Sequence, residues 1–203
     1  TDAVIEQTAA ITKIDTYAPF WNLHNSTQND LKENALQVLI EKGIIKYSGI
    51  KVDNLSLYNK ELDGFKCLSC NLNGWYWNGS SLVGSDFSRS ELRRFSFESS
   101  NLTNSRFYGT NFNNSSKNIF SDAILDGVVF KNANLDGISF GSVSSIYGAN
   151  FENASLTGAK FGKVSLSGVE FTSLDWVTED LDYTGAIVNG NRCKNNRIIS
   201  CSQ

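Results

Sequence analysis

The sequence predicts an all-β solenoid: a chain wound into stacked four-sided coils, with an α-helix at its N-terminal end. Three observations predict it. The first is an apolar residue every five positions. The second is an alternation of Leu with Phe along that period. The third is a small residue at a fixed offset from each apolar centre. The 203 residues make about one domain, long enough to bury a core without metals or disulfides.

The period runs from Leu57, Leu62 and Cys67 through Leu72, Trp77, Leu82, Phe87, Leu92, Phe97, Leu102 and Phe107 to Phe112. After a break it resumes at Phe120, Leu125, Phe130, Leu135 and Phe140. One extra residue follows, and the step returns at Ile146, Phe151, Leu156, Phe161, Leu166, Phe171, Trp176 and Leu181. All 25 centres are apolar in a chain that is 40% hydrophobic. Chance gives that on the order of 10^-10, so the period belongs to the fold. Five residues match neither a helix face nor a flat strand. They match a chain that turns a corner at every step, with one large and one small side chain inward per side. The small position lies two before the centre, as at Ser80, Ser85, Ser90, Ser100, Ser105, Ala123, Ala133, Ala149, Ala154 and Ala159. The position just before is often polar, as at Asn71, Asp86, Asn101, Asn111, Asn134 and Asn150.

Because Leu and Phe alternate, each coil has an even number of sides. Two sides enclose too little, so four sides and a twenty-residue coil follow. The core stack is then Phe87, Phe97, Phe107, Phe130, Phe140, Phe151, Phe161 and Phe171, on two opposite walls. The alternation keeps phase if residues 113–119 and the extra residue near 141–145 are bulges on single corners. About six coils at roughly 4.8 Å make a rod about 30 Å long. Asp86 and Arg106, twenty apart, are placed to form a surface ion pair between coils, worth about 0–1 kcal/mol.

The motifs Ala133-Asn134-Leu135-Asp136-Gly137, Ala149-Asn150-Phe151-Glu152-Asn153 and Ser100-Asn101-Leu102-Thr103-Asn104 resemble those of pentapeptide-repeat proteins. The resemblance covers roughly residues 50 to 190 and implies a right-handed quadrilateral β-helix.

The flanks read as caps, giving an N-terminal helical cap at 1–46, the β-helix at 47–181 and a C-terminal cap at 182–203. Asp30-x-x-Glu33 resembles a capping box, followed by Leu31, Ala35, Leu36 and Leu39 and ended by Gly43, which predicts a helix over 30–42 lying on the first coil. The stretch from Trp21 to Gly43 is similar to the segment between membrane helices and repeat in some membrane-anchored bacterial members of the family. That likeness implies a membrane tether before Thr1. No apolar run reaches eighteen residues, so these 203 residues carry no transmembrane helix.

A net charge of -3 excludes a strongly basic nucleic-acid binder, so no direct nucleic-acid binding is expected. No phosphate loop, His-Glu-x-x-His or serine elbow occurs. No catalytic residue, cofactor or metal site is expected, and the protein reads as a non-enzyme. His24 stands alone in a polar stretch and reads as a surface or cap residue. Cys67-x-x-Cys70 falls on two inward positions and reads first as core packing, with a disulfide or redox pair as the alternative. Cys193 and Cys201 read as a disulfide tying down the terminal segment where the compartment is oxidising. In Trp75-Tyr76-Trp77 both tryptophans read as core, and Tyr76 faces out.

Arg89, Arg93, Arg94 and Arg106 make a basic area, and Glu170, Asp175, Glu179, Asp180 and Asp182 an acidic one farther along. The candidate partner surface is Arg89, Arg93, Arg94, Glu170, Asp175 and Asp180, opposite charges offered at two ends of a rod. The leading expectation is a bacterial rigid scaffold whose flat sides bind a protein partner, either membrane-associated with the rod outside or cytoplasmic. The alternative is a DNA-mimicking protein that binds and protects DNA gyrase, as the quinolone-resistance branch of the family does. The low net charge and Arg93-Arg94 depart from that branch.

Overall fold

The computed structural model describes residues 29–41, 45–112, 119–172, 186–188 and 191–192. The chain is a four-walled tube in which each side hydrogen-bonds to the side one turn below it. On the first wall the ladder runs Lys46 to Lys66, Asp86, Arg106, Val129, Asn150, Glu170 and Ile187, all parallel. The second wall runs Lys51 to Asn71, Glu91, Asn111, Asn134 and Ser155. The third starts Ser56, Tyr76, Ser96 and includes Ser139 with Lys160, and the fourth runs Glu61, Ser81, Asn101, Ile124 and Ser145. These four ladders are the quadrilateral β-helix.

The ladders are strands β1 (Lys46–Ser48), β2 (Lys66–Leu68), β3 (Asn150–Phe151), β4 (Glu170–Phe171) and β5 (Ile187–Val188), joined by isolated bridges. They stay short because the chain bends two residues past every centre. At nearly all of these corners the backbone is left-handed, with glycine at about half of them and residues such as Asn59, Ser99, Arg89 or Arg94 at others. Gly79 shows why glycine recurs: a Cβ there would run into Asn59 Oδ1 of the coil above. For Arg89 (φ 60°) and Arg94 (φ 50°) the left-handed backbone costs about 1 kcal/mol each.

Twenty residues separate neighbours in the early coils. The step rises to 23 across the first break, where Arg106 meets Val129, and to 21 across the second, where Ile124 meets Ser145. Each insertion is absorbed at one corner, so Leu and Phe keep their walls. Residues 113–118 of the first bulge lie outside the described residues. The period extends two steps further back than the sequence reading took it, to buried Val52 and Tyr47. At the other end Phe171 pairs with Val188 across only 17 residues, and β6 (Asn191–Arg192) folds back antiparallel on β5. The expected centres Trp176 and Leu181 lie outside the described residues.

Inside, two columns of rings face each other. One is Trp77, Phe97, Phe120, Phe140 and Phe161, with centroids 4.6–5.8 Å apart and planes within 18°. The other is Phe87, Phe107, Phe130, Phe151 and Phe171, at 5.1–5.4 Å and within 19°. Across the tube the columns meet edge to face, as Phe140 meets Phe151 at 5.3 Å and 82°. Offset stacking along a wall and T-shaped contact across it are the two arrangements the ring quadrupole favours. The inward offset position is not always small. On one corner Leu55, Trp75, Phe95 and Ile138 fill it, all buried. Trp75 satisfies its indole there by donating Nε1 to Val52 O at 2.6 Å.

On several other sides that position is Ser or Thr, and most of these hydroxyls are used. Ser80, Ser100 and Thr110 donate to Leu57 O, Trp77 O and Phe87 O, each the centre of the preceding side one coil above, at 2.6, 2.7 and 2.9 Å. The polar residue before a centre also has a reason. Asn71, Asp86, Asn101, Asn134 and Asn150 each accept from the backbone N–H two residues on.

Helix α1 (Asn29–Glu41) precedes the tube. Its buried Ala35, Leu36, Leu39 and Ile40 join the same hydrophobic cluster as Tyr47, Ile50 and Val52 of the first coil. It begins at Asn29, so Asp30 lies inside the helix and not at the N-cap. Gly43 and the side chains of Leu31 and Glu33 lie outside the described residues.

Two sequence expectations change. Cys67 and Cys70 do face the core, and they are also joined by a disulfide with Cα atoms 5.7 Å apart. Position and spacing allowed packing or bonding; a four-residue corner brings the two sulfurs together. The Asp86–Arg106 ion pair does not form. The residues sit on adjacent rungs, but the carboxylate turns to Ser88, accepting from its N–H at 3.0 Å and its hydroxyl. A local hydrogen bond orders less side chain than a long cross-coil pair.

Candidate functional site

With the interior filled by rings and aliphatic side chains, reactive chemistry is left to the outer walls. Side chains just before, just after and two after each centre point outward and repeat every coil. The first wall therefore carries Lys46, Lys66, Asp86, Arg106, Val129, Asn150 and Glu170 in one column. Its early coils carry Lys46, Lys66 and Arg106 beside Asp86, and in its later coils Glu170 is the one charged member. Lys131 Nζ donates to Glu152 Oε2 on this wall at 2.8 Å, and that hydrogen bond to the carboxylate raises the Lys131 pKa.

Arg89, Arg93, Arg94 and Arg106 are exposed. Their charges do not all act alone: Arg93 lies 3.9 Å from Glu91. Arg89 and Arg94 occupy successive corners of one coil, while Arg93 lies on the wall between them. Glu170 accepts from Asn150 Nδ2 at 2.6 Å and is half-buried. Asp175, Glu179, Asp180 and Asp182, the rest of the acidic group, lie outside the described residues, as do His24, Cys193 and Cys201. So the basic members come together on one coil and its neighbour, and of the acidic group only Glu170 is in view.

The third wall holds what the sequence reading missed. Tyr58 and Tyr76 are both exposed, and their rings meet at 6.5 Å. Beside them Tyr58, Asn59, Asn78, Gly79, Glu98 and Ser99 line an open groove of about 350 Å³. Asn78 Nδ2 donates to Glu98 Oε2 across one coil at 3.2 Å. The available signal was the twenty-residue spacing of 58, 78 and 98, which stacks them in one column. Tyr76 faces out, and Trp75 and Trp77 are fully buried.

Among the described residues no group of three His, Cys, Asp or Glu is placed to hold a metal ion. No described helix is long and apolar enough to cross a membrane.

Residues 90–171 match the family model of the pentapeptide repeat region. A search of curated proteins finds no match. Among solved structures the chain is similar to HetL, a pentapeptide repeat protein involved in heterocyst differentiation regulation from the cyanobacterium Nostoc sp. Strain PCC 7120. The identity is 14% over 77% of this chain and 90% of that one, with a TM-score of 0.39. It is similar to a pentapeptide repeat protein of the Arabidopsis thaliana thylakoid lumen, at 22% identity over 55% and 68% of the two chains, TM-score 0.37. It is also similar to QnrB1, a plasmid-mediated fluoroquinolone resistance protein, at 15% identity over 70% and 79%, TM-score 0.34. Residues 90–171, whose ladders, corners and inward columns repeat every five residues, are thus a pentapeptide repeat region.

Proposed function

We propose that this protein is a non-enzymatic interaction module: a rigid right-handed rod of about six coils that binds a protein partner through its outer walls. The N-terminal helical segment at 1–46 and the C-terminal segment at 182–203 act as its caps. One observation carries the reading. The inward positions are filled by the two ring columns, leaving the exposed walls to do the recognising. The partner presents acidic groups to Arg89, Arg93, Arg94 and Arg106 and basic groups to the later coils around Glu152 and Glu170. The family likeness of Trp21–Gly43 supports a setting near a membrane. The Cys67–Cys70 disulfide supports an oxidising compartment.

The test is a pull-down from the source cell with wild-type protein and with an Arg89→Glu, Arg93→Glu, Arg94→Glu variant. A partner retained by the first and lost by the second, with the circular dichroism melt unchanged, is the expected result. Equal capture by both removes the Arg surface from the reading. The gyrase-binding alternative is tested by a supercoiling assay with and without a fluoroquinolone. No inhibition and no protection is expected, because four exposed arginines interrupt any DNA-like negative surface.

A further inference from the structure

We propose that the groove at Tyr58, Asn78 and Glu98 binds a saccharide chain. The site spans three coils, since Tyr58, Asn78 and Glu98 are twenty residues apart in one outward column. Two coil steps make it about 10 Å long, room for about two sugar rings.

Its chemistry selects the ligand class. Tyr58 (48% exposed) lines the groove and Tyr76 (37%) stands beside it on the next coil, their ring planes 39° apart, so apolar ring faces flank the polar groups. Tyr108 and Tyr147, also exposed, have no ring partner among the described residues. A sugar ring presents a face of C–H groups to such ring faces and a rim of hydroxyls beside it. The rim meets Asn59, Asn78, Glu98 and Ser99, which between them donate and accept: the Glu98 carboxylate accepts, and Asn78 offers its Nδ2 because its Oδ1 is buried. Asn78 holds the Glu98 carboxylate in place, so part of the ordering cost is met before the ligand arrives.

Other ligand classes fit worse. No Lys or Arg lines the groove, which disfavours phosphate or an acidic ligand. A peptide cannot add as a strand, because the local amides are already used. Asn59 N donates to Asn78 O, Gly79 N to Glu98 O and Ser99 N to Ser121 O, at 2.8–3.0 Å. Recognition must therefore pass through side chains and ring faces.

The experiment is calorimetric titration of the full chain with cellohexaose, chitohexaose, maltohexaose and mannohexaose, and with choline as a cationic probe. At least one oligosaccharide is expected to bind with a millimolar or tighter Kd. Tyr58→Ala and Glu98→Ala should each weaken that binding at least roughly ten-fold. Tyr58→Phe, which keeps the ring, should hold it within about three-fold. Tyr147→Ala, on another wall, should leave it unchanged. Failure of all four sugars, binding of choline alone, or wild-type affinity in Tyr58→Ala would overturn the proposal.

Discussion

The Ser90 hydroxyl donates to Cys67 O at 2.8 Å and accepts from Cys70 N at 3.0 Å, so one coil clasps the turn of the coil above it. The same turn is closed internally by the Cys67–Cys70 disulfide. Ser90→Ala strips a buried carbonyl and a buried amide of this partner, and each lost bond costs about 1 kcal/mol or more. A loss of about 1–3 kcal/mol in urea unfolding is expected. Ser105 sits in an equivalent inward position, but its Oγ is buried without a partner. Ser105→Ala should therefore be neutral or stabilising. Equal destabilisation of the two variants would contradict this account.

Phe107 lies between Phe87 at 5.1 Å and Phe130 at 5.4 Å, fully buried. Phe107→Ala should cost about 3–5 kcal/mol, read as a lowered denaturation midpoint. Tyr147, 64% exposed, should lose less than about 0.5 kcal/mol on going to Ala. Because each coil packs only on its neighbours, hydrogen exchange in Phe107→Ala should rise most in the adjacent coils.

The disulfide should resist reagents in the native state, since Cys67 and Cys70 are 0% and 2% exposed. Native protein given reductant and an alkylating probe should show no label at these two positions by mass spectrometry, and denatured protein full label. In the chain-entropy account a four-residue loop contributes roughly 2 kcal/mol, so the Cys67→Ser, Cys70→Ser double variant should unfold at lower denaturant. Labelling of Cys67 or Cys70 under native conditions would count against their sealed placement.

Burial pushes the Tyr47 phenol well above its ordinary value. Above pH about 10 the unfolded chain releases this proton while the folded chain keeps it, so the unfolded state gains. Stability from this group is therefore full below about pH 10 and falls as pH rises beyond it. Thermal melts from pH 8 to 11 should show that fall, and Tyr47→Phe should flatten it. An identical alkaline slope in both proteins would refute the assignment.

How much of this was legible varies by residue. The wall assignment of Phe97 and Phe130 follows from counting in fives, because a corner that recurs at a fixed interval leaves its mark as periodic hydrophobicity. The Asn residues before the centres were visible as a preference, and their backbone hydrogen bonds explain it. Tyr47 and Val52 carried the same signal but were left out of the repeat. Trp75 was legible as buried. The row of large residues it belongs to was not, because Leu55, Phe95 and Ile138 align with it only once the coils are stacked. The Asp86–Arg106 pairing failed for a related reason: a shared rung sets where two side chains start, and rotamers and local acceptors decide where they end.

Reading the chain alone was enough to predict the tube, its four sides and the five-residue step that carries large apolar side chains into it. Inward residues are dictated by burial, and burial is written into composition at fixed spacing. The partners of individual polar atoms, the bonding of Cys67 to Cys70 and the groove across Tyr58, Asn78 and Glu98 arose only in three dimensions. Each joins groups by angstrom-scale placement along or between coils, and side chains that face water carry no periodic constraint to announce them.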